Sequence, residues 1–115
     1  MAKHDPDLSL VFAALADPTR RGMVQRLSAG PAPVSELARP TGLRLPTVMR
    51  HLSVLEEAGL IESEKTGRTR ICRAVPRVMT IAEAWLAERR TEWEARLDRL
   101  EAFLETMEDG DATEP

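Results

Sequence analysis

The chain has 115 residues, of which 43% are hydrophobic and 30% are charged, and these values predict one ordinary globular domain. No apolar run approaches the roughly 20 residues that span a bilayer, and the N-terminus lacks the apolar core of a signal peptide, so the sequence predicts a cytoplasmic protein with no membrane partner. The single cysteine, Cys72, excludes an internal disulfide and a zinc site built from cysteines within one chain.

The net charge of −3 is distributed unevenly along the chain. Residues 1–33 carry four basic and three acidic side chains, residues 34–76 carry seven and five, and residues 77–115 carry five and eleven. The middle third has the largest excess of positive charge, so it is the part expected to form the basic surface that contact with nucleic acid requires.

Two helices are predicted at the start of the chain. Apolar residues at helical spacing indicate the first helix, over about residues 7–16. These are Leu8, Val11, Phe12 and Leu15. Asp17-Pro18 then supplies an N-cap followed by a proline in the first turn, which predicts a second helix that ends at Gly30-Pro31.

Two further helices and a hairpin follow. A short helix is expected from about Ser35, closed by Pro40 and Gly42, and a longer one runs from Leu45 to Ala58 with Gly59 after it. Strand-like residues 60–64 and 69–75 flank a turn at residues 65–68, which predicts a β-hairpin.

The last third predicts one long helix over about residues 77–107. Its apolar side chains fall in a single stripe about 160° wide along a helix of about 45 Å. The preceding 75 residues are too few to cover this stripe, so we expect a second copy of the chain to cover it. Residues 110–115 are expected to form a disordered acidic tail.

This order of elements predicts a mainly α (α+β) fold, a winged helix-turn-helix with a two-stranded β-wing and a long C-terminal dimerisation helix. The helix-turn-helix spans about residues 34–58 and the wing about residues 60–75, within a single domain of residues 1–109. In the turn, Ala38 must be small where the helices touch, and Gly42 must adopt a conformation that side chains resist.

Three segments of the chain resemble a known family. Leu15-Ala16-Asp17-Pro18-Thr19-Arg20-Arg21 is similar to the segment that opens the second helix of ArsR-family bacterial transcriptional regulators. Arg50-His51-Leu52, followed by Val54-Leu55 and by residues 57–61, resembles the recognition helix of that family, and Gly67-Arg68 matches its wing turn. The resemblance implies a homodimeric repressor that binds double-stranded DNA and whose first and last helices form the dimer interface.

The residues expected to contact DNA lie opposite the buried side of the recognition helix, which is defined by Val48, Leu52 and Leu55. They are Arg44, Pro46, Thr47, Met49, Arg50 and Ser53 on the helix, and Lys65, Arg68 and Arg70 on the wing. Arg50 is suited to bind a guanine bidentately, although a phosphate contact or a free surface arginine would also fit its position.

Three residues depart from the pattern of the family. Arg44 stands where a capping serine is usual, Leu45 replaces a frequent glutamine, and Met49 replaces a serine that often faces the bases. We therefore expect a less rigid start of the recognition helix, and the operator sequence cannot be transferred from relatives.

The expected dimer interface combines apolar residues of the first and last helices with one arginine. It comprises Leu8, Val11, Phe12, Trp85, Arg89, Trp93, Leu97, Leu100 and Leu104. Arg89 lies within the apolar stripe, one turn from each tryptophan, where it can stack on an indole, pair with a carboxylate of the partner or reach past the stripe to water.

No metal site, cofactor or enzymatic activity is predicted. The founding ArsR members bind metals through cysteines in the third helix or through Asp and His pairs on the last helix, and this chain has neither set. Of its two histidines, His51 is interpreted as a structural residue of the recognition helix. The pattern at residues 85–100, which includes Trp85, Trp93 and Leu97, resembles a metal-free branch often encoded beside activator-of-Hsp90-ATPase-like SRPBCC proteins.

Two alternatives remain open from the sequence. Cys72 on the second wing strand is read as a small buried residue, but a lowered pKa caused by Arg70 and Arg73 would make it a redox switch. The acidic last helix would also suit a protein-interaction or antitoxin-like module. The effector, if there is one, is not identified by the sequence.

Overall fold

The computed structural model describes residues 6–112, with their side chains up to residue 109. The elements are α1 (Leu8–Leu15), α2 (Pro18–Leu27), β1 (Ala32–Pro33), α3 (Val34–Ala38), a 3₁₀ turn (Arg39–Thr41), α4 (Leu45–Glu57), β2 (Ile61–Thr66), β3 (Thr69–Ala74) and α5 (Pro76–Ala112). This is the predicted winged helix-turn-helix. Every helix within residues 6–112 is too short or too polar to span a bilayer.

The second helix starts where its predicted N-cap, Asp17, places it, and the first helix has an N-cap at Asp7 that the sequence analysis did not identify. The Asp7 carboxylate accepts hydrogen bonds from the backbone N–H groups of Ser9 and Leu10, and the Asp17 carboxylate accepts one from Arg20 at 3.0 Å. Each satisfies N–H groups that have no partner inside the first turn of a helix.

The sheet contains one strand more than the sequence predicted. β2 and β3 form the expected antiparallel hairpin, with Ile61 opposite Ala74 and Thr66 opposite Thr69. The additional strand β1 pairs with the other edge of β3, so that the strand order is β1-β3-β2. β1 is only two residues long and has no alternating pattern of its own, because its extended conformation depends on pairing with a distant strand.

The chain divides into two compact units at the boundary between Ala82 and Glu83. The first unit holds a continuous core to which every helix and strand of that unit contributes, including residues 76–82 of α5. Its completely buried side chains include Val11, Val48, Leu55 and Cys72.

The second unit, from Glu83 onward, is the remainder of α5. This helix extends to Ala112, beyond the 77–107 expected from periodicity, and the backbone of residues 110–112 is helical. A single glycine at position 110 costs only about 1 kcal/mol and does not by itself end a helix. Residues 113–115 lie outside the described residues.

Candidate nucleic-acid interface

The turn between α3 and α4 fixes the start of the recognition helix. Gly42 has a φ of 67°, in the left-handed region that favours glycine, as its place in the turn predicted. Thr41 Oγ1 donates to the Ala38 carbonyl at 2.6 Å and accepts from the Leu43 N–H at 3.0 Å. The chain therefore reverses through a hydrogen-bonded turn directly before α4.

The recognition helix α4 packs on the core through Val48, Leu52 and Leu55, each at most 3% exposed, and this confirms the predicted buried side. Arg44 is the N-cap residue, and its side chain makes no capping hydrogen bond. The first turn of α4 is therefore held by Pro46 and by the backbone, as the absence of a capping serine predicted.

A hydrogen-bond cluster joins the two signature segments of the sequence. Arg20 Nε donates to the Ala14 carbonyl at 2.7 Å, a second guanidinium nitrogen donates to the Ala13 carbonyl at 3.2 Å, and the third lies 3.1 Å from His51 Nδ1. Because a guanidinium only donates, His51 Nδ1 must accept, which requires a neutral ring with its proton on Nε2. The structural role predicted for His51 is confirmed.

Asp17 belongs to the same cluster. The backbone hydrogen bond from Arg20 holds the pKa of its carboxyl below the usual value against a smaller opposing effect of burial, and the positive charge of Arg20 acts in the same direction as the hydrogen bond. The carboxylate form of Asp17 is thus favoured by the folded arrangement.

The wing hairpin carries three exposed cations. Gly67, with a φ of 65°, and Arg68 form the tip of the hairpin between the paired residues Thr66 and Thr69. Lys65, Arg68 and Arg70 are exposed on the hairpin. They give the wing a local excess of positive charge.

The recognition helix and the wing enclose a shared cavity of about 400 Å³. We call its lining the helix–wing surface. It consists of Pro33, Val34, Ser35, Leu45, Met49, Lys65, Arg68, Thr69 and Arg70. Four of the predicted DNA-contact residues therefore line one cavity: Met49 from the recognition helix, and Lys65, Arg68 and Arg70 from the wing.

A smaller cavity of about 240 Å³ lies between the later turns of α4 and the sheet, lined in part by Ser53, Met49 and Arg70. Arg70 donates to Ser63 Oγ at 2.9 Å, and the Ser63 hydroxyl donates to the Glu56 carboxylate. These two hydrogen bonds connect the wing to α4. The roles of Glu56 and Ser63 were not predictable from the sequence, because their contact joins residues of different elements.

The other predicted contact residues lie apart from both cavities. Arg44, Pro46 and Arg50 are exposed and Thr47 is half-buried. Arg50 forms no hydrogen bond or ion pair with any described residue, so its guanidinium is available to a ligand. Leu45 was not among the predicted residues, although its spacing of four from Met49 places both on one helix face.

Cys72 is completely buried in β3. Burial raises the pKa of its thiol, the charge of Glu56 acts in the same direction, and Arg70 opposes them more weakly. The expected lowering by Arg70 is therefore present but outweighed, and Arg73, which was expected to act with it, forms ion pairs with Glu62 and Glu64 instead. A protonated, buried thiol is a poor redox switch.

In the second unit, the apolar face of α5 is widely exposed, with Trp93 60%, Leu97 55% and Leu100 53% exposed. Arg89 lies 5.1 Å from the centre of the Trp85 ring and pairs with Glu92 at 2.8 Å, so one of the alternatives predicted for it, stacking on an indole, is confirmed.

One residue predicted for the dimer interface does not fit that role. Val11 is 0% exposed inside the first unit, because it faces the core from the middle of α1. The prediction for Val11 was wrong. Leu8 on the same helix is half-buried, and Phe12 keeps about a third of its surface exposed.

Among the side chains described, those of residues 6–109, no group of three or more His, Cys, Asp or Glu residues is placed to hold a metal ion.

A family model described as a helix-turn-helix domain matches residues 15–64. The HTH-type transcriptional regulator Rv2034 of Mycobacterium tuberculosis is 44% identical over 65 residues, which are 56% of this chain and 61% of that protein. The chain thus spans about three fifths of the length of this relative. The arsenical resistance operon repressor of Escherichia coli is 31% identical over 99 residues, 84% of this chain and 81% of that protein.

Solved structures agree with these relatives. A crystal structure of an ArsR family transcriptional regulator superposes with a TM-score of 0.73 and 50% identity, over 76% of this chain and 96% of the other. The solution structure of a homodimeric winged helix-turn-helix domain from Mycobacterium bovis, a possible ArsR-family regulator, has a TM-score of 0.60 and 25% identity, over 76% and 82%. The identity and coverage together show that this chain belongs to the ArsR family of transcriptional regulators.

Proposed function

We propose that this chain is a homodimeric repressor that acts in the cytoplasm by occupying a pseudo-palindromic operator. The observation that carries the proposal is the helix–wing surface, where an outward-facing recognition helix and three exposed cations of the wing converge. Repression would follow from blocking promoter DNA, so no enzymatic step is needed. The similarity to the arsenical resistance operon repressor supports repression as opposed to activation.

Each protomer would place α4 in the major groove and the wing against the backbone or the minor groove. The exposed Arg50 would contact a guanine or a phosphate, and Arg44, Pro46, Thr47 and Ser53 would lie along the same groove. Lys65 and Arg68 would contact phosphates. Arg70 would combine a phosphate contact with its hydrogen bond to Ser63.

The second copy would cover the apolar face of α5. Side chains from Trp85 to Leu104 leave a long, half-exposed apolar strip, larger than monomeric proteins ordinarily present to water. Leu8 and Phe12 of α1 would complete the interface, and Arg89 would lie within it beside Trp85. The homodimeric state of the similar winged helix-turn-helix domain supports this assignment.

Selection of genomic fragments by the purified protein tests DNA recognition directly. We expect enrichment of one pseudo-palindrome whose half-sites are about one duplex turn apart, and an affinity that falls steeply with salt. Enrichment of nothing above bulk DNA at physiological salt would contradict the proposal and favour a partner-binding role for the acidic helix.

Arg50→Ala tests the recognition helix on the operator so obtained. Fluorescence anisotropy should show binding weakened by about 1–3 kcal/mol. Arg99→Ala on α5 is a matched control, because it removes the same charge from an exposed residue that belongs neither to the predicted DNA contacts nor to the predicted dimer interface. Equal affinities of the two variants would remove Arg50 from the interface.

Sedimentation equilibrium tests the dimer. Leu97→Asp places a charge in the apolar strip and should shift the protein to monomer at concentrations where Thr91→Asp, on the polar side of the same helix, remains dimeric. A Leu97→Asp protein that stays dimeric would show that the strip is not the interface.

A further inference from the structure

The helix–wing surface contains an apolar patch where the recognition helix begins. Leu45 is 59% exposed and Met49 is 37% exposed, and the two side chains line the same cavity, four residues apart on α4. More than half of the Leu45 surface is left in water, and neither side chain offers a strong hydrogen-bonding group. The patch is thus suited to an apolar contact.

The charges beside this patch identify its occupant. Lys65, Arg68 and Arg70 of the wing line the same cavity, and no acidic side chain is among its lining residues. A partner that fits must combine dense negative charge with a small apolar group. In the major groove of DNA, the C5-methyl group of thymine is the apolar group that the bases present, and phosphates flank it.

We propose that Leu45 and Met49 determine operator specificity by contacting thymine methyl groups. This inference rests on the proposed function, because it assumes that α4 enters the major groove. Residues four apart are about 6 Å apart along a helix axis, close to two base-pair steps of about 3.4 Å. Each half-site should therefore contain two contacted thymines about two steps apart, beside the base pair or phosphate that Arg50 contacts.

Replacing thymine by deoxyuridine removes only the methyl group and leaves base pairing intact. The probe is the selected operator synthesised with deoxyuridine at every thymine of both half-sites. For the unaltered protein we expect binding to weaken about fourfold for each contacted methyl, and so about 250-fold for the four contacted methyls of the two half-sites, from the loss of buried apolar surface. The DNA control carries deoxyuridine only in the flanking sequence and should bind normally.

The protein variants assign the effect to the two side chains. Leu45→Ala/Met49→Ala should bind the thymine operator more weakly and should no longer distinguish it from the deoxyuridine operator. Leu43→Ala is the matched control, because Leu43 is 40% exposed in the preceding turn and lines neither cavity; it should keep the full distinction. Both side chains are exposed, so the double variant is expected to fold.

The outcomes are distinguishable. If the unaltered protein binds both operators equally, or if the double variant remains as sensitive to deoxyuridine as the unaltered protein, the proposal is overturned while DNA binding stands. If the protein selects no operator, the proposed function itself fails and this inference fails with it. If the operator and variant results agree with the proposal, single deoxyuridine substitutions across one half-site locate the two contacted thymines. A spacing between them other than about two base-pair steps would contradict the proposed geometry.

Discussion

Replacing Arg20 by alanine removes the side chain that joins α1, α2 and the recognition helix. Three hydrogen bonds disappear, to the carbonyls of Ala14 and Ala13 and to His51 Nδ1. A hydrogen bond contributes about 1 kcal/mol net, and more when one partner is charged, but Arg20 is only partly buried, and water replaces some of the loss. We therefore expect the free energy of unfolding to fall by about 3 kcal/mol.

The matched control is the neighbouring arginine. Arg21 makes one exposed hydrogen bond, to the Leu15 carbonyl at 2.8 Å, so Arg21→Ala should cost no more than about 1 kcal/mol. Guanidinium denaturation followed by far-ultraviolet circular dichroism measures both variants, at one protein concentration because dimerisation would shift the apparent stability. Equal costs for the two variants would refute the argument that Arg20 joins the three helices.

A double-mutant cycle separates the contact with the recognition helix from the two carbonyl contacts. Arg20→Ala and His51→Ala should be non-additive by about 1 kcal/mol, since each removes the same hydrogen bond. Additive costs would mean that the 3.1 Å contact between Arg20 and His51 contributes nothing to stability.

Three further predictions concern single residues. Gly22→Ala should raise the free energy of unfolding by about 0.5–1 kcal/mol, because Gly22 lies inside α2 with open space around an added Cβ. Gly42→Ala should lower it by about 1–2 kcal/mol, because the φ of Gly42 is positive. Chemical denaturation compares the two variants. Because the pKa of the Asp17 carboxyl is lowered in the folded protein, its carboxylate form stabilises the fold at pH values above the usual titration range of a carboxyl, and this stabilisation is lost as the pH falls through the lowered pKa. The difference in unfolding free energy between the unaltered protein and Asp17→Asn, measured against pH, should shrink over that range. A difference that does not change with pH would contradict this prediction. Because burial raises the pKa of Cys72, iodoacetamide should alkylate it at least about a hundredfold more slowly in the native than in the unfolded protein.

The elements of this fold were predictable where a signal is local. The cap at Asp17, the left-handed Gly42 and the apolar side of α4 all depend on residues a few positions apart. β1 was not predictable, because two residues carry no alternation and the strand exists only through pairing with β3. The contacts of Arg20 with His51 and of Arg70 with Ser63 were hidden for the same reason.

Periodicity also could not separate core from interface. The apolar residues of α1 share one face, yet Val11 is buried in the first unit and Phe12 remains partly exposed. In α5 the same stripe begins with the buried Val78 and Ala82 and continues with exposed residues from Trp85 onward. The spacing of apolar residues along a helix shows which face is excluded from water. It does not show whether that face packs against its own chain or against a second copy.

The contacts of α4 explain why its first turn is the part suited to adjust to DNA. The middle of the helix is tied to α2 through His51 and its last turn to the wing through Glu56, so these parts are fixed by hydrogen bonds to other elements. The first turn has no side-chain cap and presents Leu45 to solvent. Polar side chains that read bases need fixed geometry, whereas an apolar contact with a methyl group tolerates small displacements. A methyl-reading patch that begins with Leu45 on the least constrained turn and continues to Met49, beside Arg50 on the anchored part of the helix, is therefore a consistent division of specificity along α4.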